Sequence, residues 1–355
     1  MHACPDARIA FHGGDSVKKA KFWIAAAILA GILIRPDAAV AGAQRAMLLW
    51  CTSVAPSLFP FLALMPALTG PEACAAYDSL LSGVMGKLFR LPGSAAPAVA
   101  IGMIAGSPGG ALALCRVAQS SGLKQSQVRR IALSVSGVSP FYLILGVGYG
   151  LYGSVTMGIR LALIQLGIQL TLLCLLRGML PEEDGALPAF TSSIDRTSGV
   201  TDAVERVLVI CGYMVLFSSV GSVIASFAGP VTGLAALLLA DLPSGLAELA
   251  AWSFPGKMLI QGVAIGFAGL CIAAQNLDVL RTIGVRPGEY LAARGVAAGL
   301  FGCISGLVLR AQEINLTSAF EKSGSVYAIS LAIACIFSVP GLIFLTKNLF
   351  LNKEN

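Results

Sequence analysis

Charged residues are scarce in this 355-residue sequence: they make up 12% of the chain, against about a quarter in soluble domains. Histidine is almost absent, with only His2 and His12, both in a polar N-terminal stretch. The apolar remainder therefore has no imidazole for metal binding or acid-base chemistry. Nine cysteines are present but no C-x-x-C pair, which argues against a disulfide framework or a thiol-based metal site. No triad, phosphate-loop or metal-ligand pattern is found, so no catalytic residue, metal or cofactor is expected and the chain reads as a non-enzyme. The net charge of +6 is spread over many loops and does not form the single basic patch that nucleic acid would require.

Apolar sequence fills the space these absences leave. Hydrophobic residues make up 56% of the chain and the mean hydropathy is +0.82. The apolar residues come in long blocks, and a block of about 18 or more crosses the hydrocarbon core as a helix. The expected fold is an all-α, multi-pass membrane protein of about eight spanning helices plus two interrupted, re-entrant segments. Its expected setting is a cell membrane, with lipids as its surroundings.

The organisation follows from where the blocks stop. Residues 1–20 are polar, and the run 22–34 after Lys18, Lys19 and Lys21 reads as a retained signal anchor. A first membrane repeat covers 21–176, a polar linker 177–206, a second repeat 207–346, and a tail 347–355. Within the first repeat, Pro56, Pro60 and Pro66 punctuate one segment, and residues 71–90 suit an interfacial helix. The segment 97–115 is broken by Gly106, Ser107, Pro108, Gly109 and Gly110. Spans are expected at 131–150 and 154–176. The second repeat offers a span at 207–228, an interrupted segment at 245–259 broken by Pro255 and Gly256, a Gly-rich span at 261–277, and further spans at 290–309 and 326–345. Broken segments in matching places of two halves mark the inverted repeats of secondary transporters, whose solute site lies where the breaks meet.

Charge orients the halves. The loop containing Arg116, Lys124, Arg129 and Arg130 has no acidic residue and marks the cytoplasmic side. The loop with Arg281 and Arg286 falls on that side if 97–115 enters and leaves the membrane on one face. Arg35, Arg45, Arg310 and Lys322 fit this scheme badly.

Candidate solute contacts lie at the breaks. Gly106, Ser107, Pro108 and Gly109 combine close backbone approach, a freed carbonyl and a hydroxyl. Ser136 and Ser139 sit just before Pro140, with Ser134 nearby; such serines also bond to their own helix. Glu248 is the carboxylate inside the second interrupted segment, and an ionisable group at depth is a functional hypothesis by default. Gln275 and Asn276 end the Gly-rich span and offer amide hydrogen bonds. The spacings Gly262 to Gly266 and Gly295, Gly299, Gly302, Gly306 read as close helix packing, and Gln165 and Gln169, one turn apart, as interhelical glue. Helix N-termini at the breaks would draw a small polar or anionic solute.

Five pieces in order carry a family resemblance: Ala55-Pro-Ser-Leu-Phe-Pro-Phe61, Leu88-Phe-Arg-Leu-Pro-Gly93, Gly106-Ser-Pro-Gly-Gly110, Ser139-Pro-Phe141 and Gly266-Phe-Ala-Gly-Leu-Cys-Ile-Ala-Ala-Gln275. Together they resemble the YlbJ sporulation integral membrane proteins, whose halves look like the nucleoside-recognition gate domain. The resemblance covers nearly everything from Lys21 onward. It implies a fold related to concentrative nucleoside transporters, a role in spore formation, and a location that includes the membrane around the forespore. It implies a dipicolinate-like or nucleoside-like solute, and as partners further copies of the chain or other sporulation membrane proteins. The chain departs from the family pattern at Ser107-Pro108, where no aromatic intervenes, at Val138-Ser139, at Ala250 and at Ala273. A non-transporting scaffold in a sporulation complex is the alternative; it predicts no central cavity.

Overall fold

The computed structural model describes residues 13–178 and 199–309. Among these residues the chain forms helices and no strands. They run α1 (Gly13–Ile34), α2 (Pro36–Leu49), α3 (Ala55–Thr69), α4 (Pro71–Phe89), α5 (Ala96–Ile104), α6 (Gly109–Ser121), α7 (Gln125–Val135) and α8 (Val155–Leu175). They continue with α9 (Gly199–Phe227), α10 (Pro230–Ala240), α11 (Leu242–Ala251), α12 (Lys257–Phe267), α13 (Gly269–Leu280) and α14 (Pro287–Val308). Two wider, π-type stretches occur, Trp50–Val54 between α2 and α3 and Tyr142–Leu151 between α7 and α8. Proline opens α2, α10 and α14 at their first turn, where its missing N–H costs nothing.

Length and composition let α8, α9, α14 and the α12–α13 pair cross a membrane, and the bent pairs α1–α2 and α3–α4 raise the count to six. The protein is an all-α, multi-pass membrane protein. Leu163, Leu216, Leu300 and Leu307 point outward from these spans, as the lipid-facing side of such a bundle requires. The expected last span, 326–345, lies outside the described residues.

Two segments depart from the expected pattern. Residues 131–150 are not one span: α7 ends at Val135, and helix resumes at Pro140 after the stretch 136–139. Ser139-Pro140 disfavours continuation, because the residue before proline avoids helical geometry. The Gly-rich span is likewise broken, at Ala268 and Gly269, which both adopt positive φ (71° and 77°).

Two hairpins of short helices stand where the interrupted segments are expected. The first is α5 and α6, with its tip at 105–108, as the sequence predicts. The second is α10 and α11, with its tip at Asp241. The turn holding Pro255 and Gly256 interrupts 245–259 as expected, between α11 and α12, but it forms the hairpin's outer end, and the tip lies one helix earlier at Asp241. Composition misleads here because Pro and Gly mark any turn, whereas the true tip needs only Asp241 in extended geometry (φ −139°, ψ 102°) between two short helices.

Each hairpin is followed by a broken helix and a long span, α7 through Tyr142–Leu151 to α8 in the first case and α12 through α13 to α14 in the second. The outer end of the first hairpin packs beside the loop before α14: Gln125 Nε2 donates to the Ile283 carbonyl at 3.1 Å, and Arg129 pairs with Glu289. The outer end of the second packs beside the loop before α8, where Lys257 Nζ lies 5.1 Å from the centre of the Tyr152 ring and Tyr152 bonds to Gln261. Since α7 to Leu151 runs from the first loop pair to the second, the two hairpins enter from opposite faces. The loops 122–124 and 281–286 share one face, which the positive-inside rule assigns to the cytoplasm.

Helix contacts at the interior are close. α12 and α14 meet over small residues: a Cβ on Gly262 would stand 2.7 Å from the Phe301 oxygen, and one on Gly266 2.5 Å from Ala298 Cα. Without a hydrophobic effect between helices in lipid, such backbone approach supplies much of the attraction. Arg35 and Arg45, awkward for the charge scheme, lie along α9 toward its Phe227 end. Arg35 stacks on Phe227 at 5.1 Å, and Arg45 Nη2 donates to Ser222 Oγ at 2.8 Å.

Candidate functional site

The tips of both hairpins and the helix break at 136–139 meet around one cavity of about 660 Å³. Ala105, Ser107 and Pro108 come from the first tip, Val138, Ser139 and Tyr142 from the first break, and Asp241, Leu242 and Pro243 from the second tip. Cys271 and Gln275 of α13, Ile210 and Met214 of α9, and residues between Thr52 and Phe61 close the remaining sides. Polar lining groups are few: Thr52, Ser53, Ser107, Ser139, Tyr142, Asp241 and Gln275, set in an apolar wall. An apolar cavity with a handful of converging polar groups is the usual form of a small-molecule site.

Sequence-predicted residues divide into three groups. Ser107, Pro108, Ser139 and Gln275 line the cavity directly. Gly106, Gly109, Ser136 and Asn276 sit just behind it and shape it. Gly106 has φ +67°, and a Cβ there would stand 2.5 Å from the Ser139 amide nitrogen, so the first tip fits against the first break only with glycine. Asn276 is fully buried, and its Nδ2 donates to Ser107 Oγ at 2.8 Å and to the Tyr290 hydroxyl at 2.6 Å. Gly109 opens α6 behind the tip. Ser136 Oγ turns back to the Ala132 carbonyl at 2.5 Å, as Ser134 Oγ does to Arg130 at 2.7 Å. Glu248 stands apart: it is exposed on α11, accepts from Trp252 Nε1 at 3.3 Å, and does not line the cavity.

The first break would leave the last carbonyls of α7 without partners in a medium that supplies none. Three other elements provide them. Gln169 Nε2 of α8 donates to the Val135 oxygen at 3.2 Å, Arg294 Nη1 of α14 to the Ser136 oxygen at 2.6 Å, and the Ser107 amide to the Gly137 oxygen at 2.9 Å. Arg294 also places a positive charge at the negative end of the α7 dipole. Its side chain is 1% exposed.

Two residues of the site lie outside the sequence expectations. Arg294 is the basic residue inside the 290–309 span, and its intrusion into an otherwise small and apolar helix is the signal that marks it. Asp241 is 2% exposed and lines the cavity at the second tip. Its signal is a carboxylate closing the apolar run 230–240 immediately before Leu242-Pro243. Asp241 Oδ2 accepts from Ser244 Oγ at 2.6 Å, and Ser244 Oγ lies 3.2 Å from Ser218 Oγ of α9.

On the cytoplasmic face, the bidentate pair of Arg129 and Glu289 is nearly fully buried, with contacts of 2.7 and 3.1 Å. Arg116 bonds Asp202, which also meets Arg206 at 3.5 Å. Among the described residues, no group of three or more His, Cys, Asp or Glu side chains is placed to hold a metal ion.

Comparison with known proteins supplies a relative at this point. The chain is 25% identical to the sporulation integral membrane protein YlbJ of Bacillus subtilis (strain 168), over a 322-residue alignment covering 77% of this chain and 79% of that protein. The chain is YlbJ-like. No family model matches it, and no solved structure matches it significantly. The YlbJ-like alignment extends well beyond the five motif pieces, so the likeness belongs to most of the membrane region.

Proposed function

We propose that the chain is a carrier or facilitator for a small polar or anionic solute, acting in spore formation as the name of its Bacillus relative suggests. The observation that supports this reading is the meeting of two hairpin tips and the helix break at 136–139 at one cavity of about 660 Å³. Interrupted backbone within a bilayer is tolerated where it lines a cavity, and opposed breaks of this kind form the solute sites of inverted-repeat transporters. A scaffold has no need of such a cavity.

The chemistry of the walls favours a compact, flat molecule with acidic or polar edges. α6 begins at Gly109 and α11 at Leu242, both beside the cavity, and helix N-termini attract anions. Ser107, Ser139 and Gln275 add hydroxyl and amide groups. Dipicolinate, a small aromatic dianion, fits this description, and nucleosides fit the polar but not the anionic part of it. The implied kinship with nucleoside-recognition gate domains rests on the same motifs and is part of this proposal.

The test is uptake of radiolabelled dipicolinate and of nucleosides into vesicles holding the purified protein, beside Ser107→Ala. Saturable uptake of one probe, weakened in the variant, is the expected result. Vesicles that take up neither faster than protein-free controls would refute the carrier reading for these solutes.

A further inference from the structure

Asp241 is a carboxylate inside a cavity whose helix ends are suited to an anion. An ionised Asp241 would repel an anionic solute across a medium that screens little. We propose that Asp241 carries a coupling proton, taken up together with the anionic solute, and that Ser244 and Ser218 relay it. The inference rests on the carrier reading of the same cavity.

Three observations support it. The carboxylate is 2% exposed and lies at the second hairpin tip, on the cavity wall, where an ionisable group at membrane depth marks an ion or proton path more often than architecture. Its Oδ2 accepts from Ser244 Oγ at 2.6 Å, and that hydroxyl is 3.2 Å from Ser218 Oγ on α9, fully buried. A hydroxyl both donates and accepts, so the row Asp241, Ser244, Ser218 can pass a proton by reversing its hydrogen bonds. One turn further along α9, Ser222 is held by Arg45 at 2.8 Å, so the row leads from the cavity to the contact between α2 and α9.

The titratable and charged groups acting on Asp241 from neighbouring elements are Arg45 of α2, Tyr142 of the Tyr142–Leu151 stretch and Cys271 of α13. Arg45 attracts the ionised form, whereas Tyr142 and Cys271 offer it no positive charge. The proton balance is simple: one proton binds an Asp241 carboxylate oxygen as the solute anion enters, and leaves that oxygen when the solute does. No bond other than O–H forms or breaks.

Two measurements decide the matter. Infrared difference spectra of solute-free protein, wild type minus Asp241→Asn, should show a protonated-carboxyl band that grows on acidification; a difference without that band would overturn the proposal whatever the uptake assays show. In vesicles, a pH gradient with acid outside should accelerate wild-type dipicolinate uptake, and Asp241→Asn should lose that response. Uptake indifferent to the pH gradient, or driven by a sodium gradient in its place, overturns proton coupling while leaving the carrier reading standing. Absence of all uptake counts against the carrier reading, and the infrared result then decides Asp241 alone. Should Asp241→Asn not fold, Ser218→Ala keeps the carboxylate and is expected to diminish the response to the gradient; an unchanged response would remove the relay.

Discussion

The guanidinium of Arg294 donates to the carbonyl oxygen of Ser136 across 2.6 Å, tying α14 to the broken end of α7. A buried cation at that place substitutes for the next turn of helix, which Pro140 prevents. Replacing it with alanine leaves the Ser136 oxygen without its donor and opens space beside Tyr290. Arg294→Ala is expected to lower stability by about 1–3 kcal/mol, the range for losing a charged hydrogen-bond partner at a buried site. Thermal unfolding in detergent would read this directly; an unchanged melting temperature would mean that Arg294 does not hold the break.

Gly106 and Gly122 provide an internal control for the first hairpin. Both have positive φ, +67° and +61°, but a Cβ on Gly106 would stand 2.5 Å from the Ser139 nitrogen, whereas one on Gly122 meets nothing within 4 Å. Gly122→Ala should therefore cost only the left-handed backbone term, about 1–2 kcal/mol. Gly106→Ala should cost more, because the tip must also move away from the break. Comparing melting temperatures of the two variants tests this ordering, and equal losses would contradict the close fit of tip and break.

Orientation is testable by labelling. In a background without native cysteines, a cysteine at position 122 should react from the cytoplasmic side and one at position 253 from the opposite side. Those positions mark the outer ends of the first and second hairpins, both accessible to solvent. Reaction of both from one face would end the inverted arrangement.

Composition and block length make the class of the fold legible in the sequence alone: few charges and long apolar runs leave only helices in a bilayer. The first hairpin is legible too, because Gly106 to Gly110 is a sequence that no continuous helix accommodates. The second is not. Its tip is a single aspartate between two short apolar helices, while the louder signal of Pro255 and Gly256 belongs to an outer turn. The break after Val135 is hidden for a similar reason, since 131–150 is largely apolar and nothing local reports that Gln169, Arg294 and the Ser107 amide stand ready to receive its carbonyls. Such partners lie from 30 to about 160 residues away in sequence, and period and composition are blind to them. Ser107, Ser139 and Gln275 are recognisable as cavity residues because hydroxyl and amide groups beside glycine or proline stand out within apolar sequence. Asp241 and Arg294 escape such a reading because each sits alone in an apolar run, without a motif around it.

The crossed packing of hairpin ends also bears on how the chain is assembled. The cytoplasmic end of the first hairpin obtains its hydrogen bond from Ile283 and its countercharge from Glu289, partners that lie 158 and 160 residues further along. Until those residues have been synthesised and inserted, the Arg129–Glu289 pair cannot form and the early half stays unfinished. Each half thus completes the other.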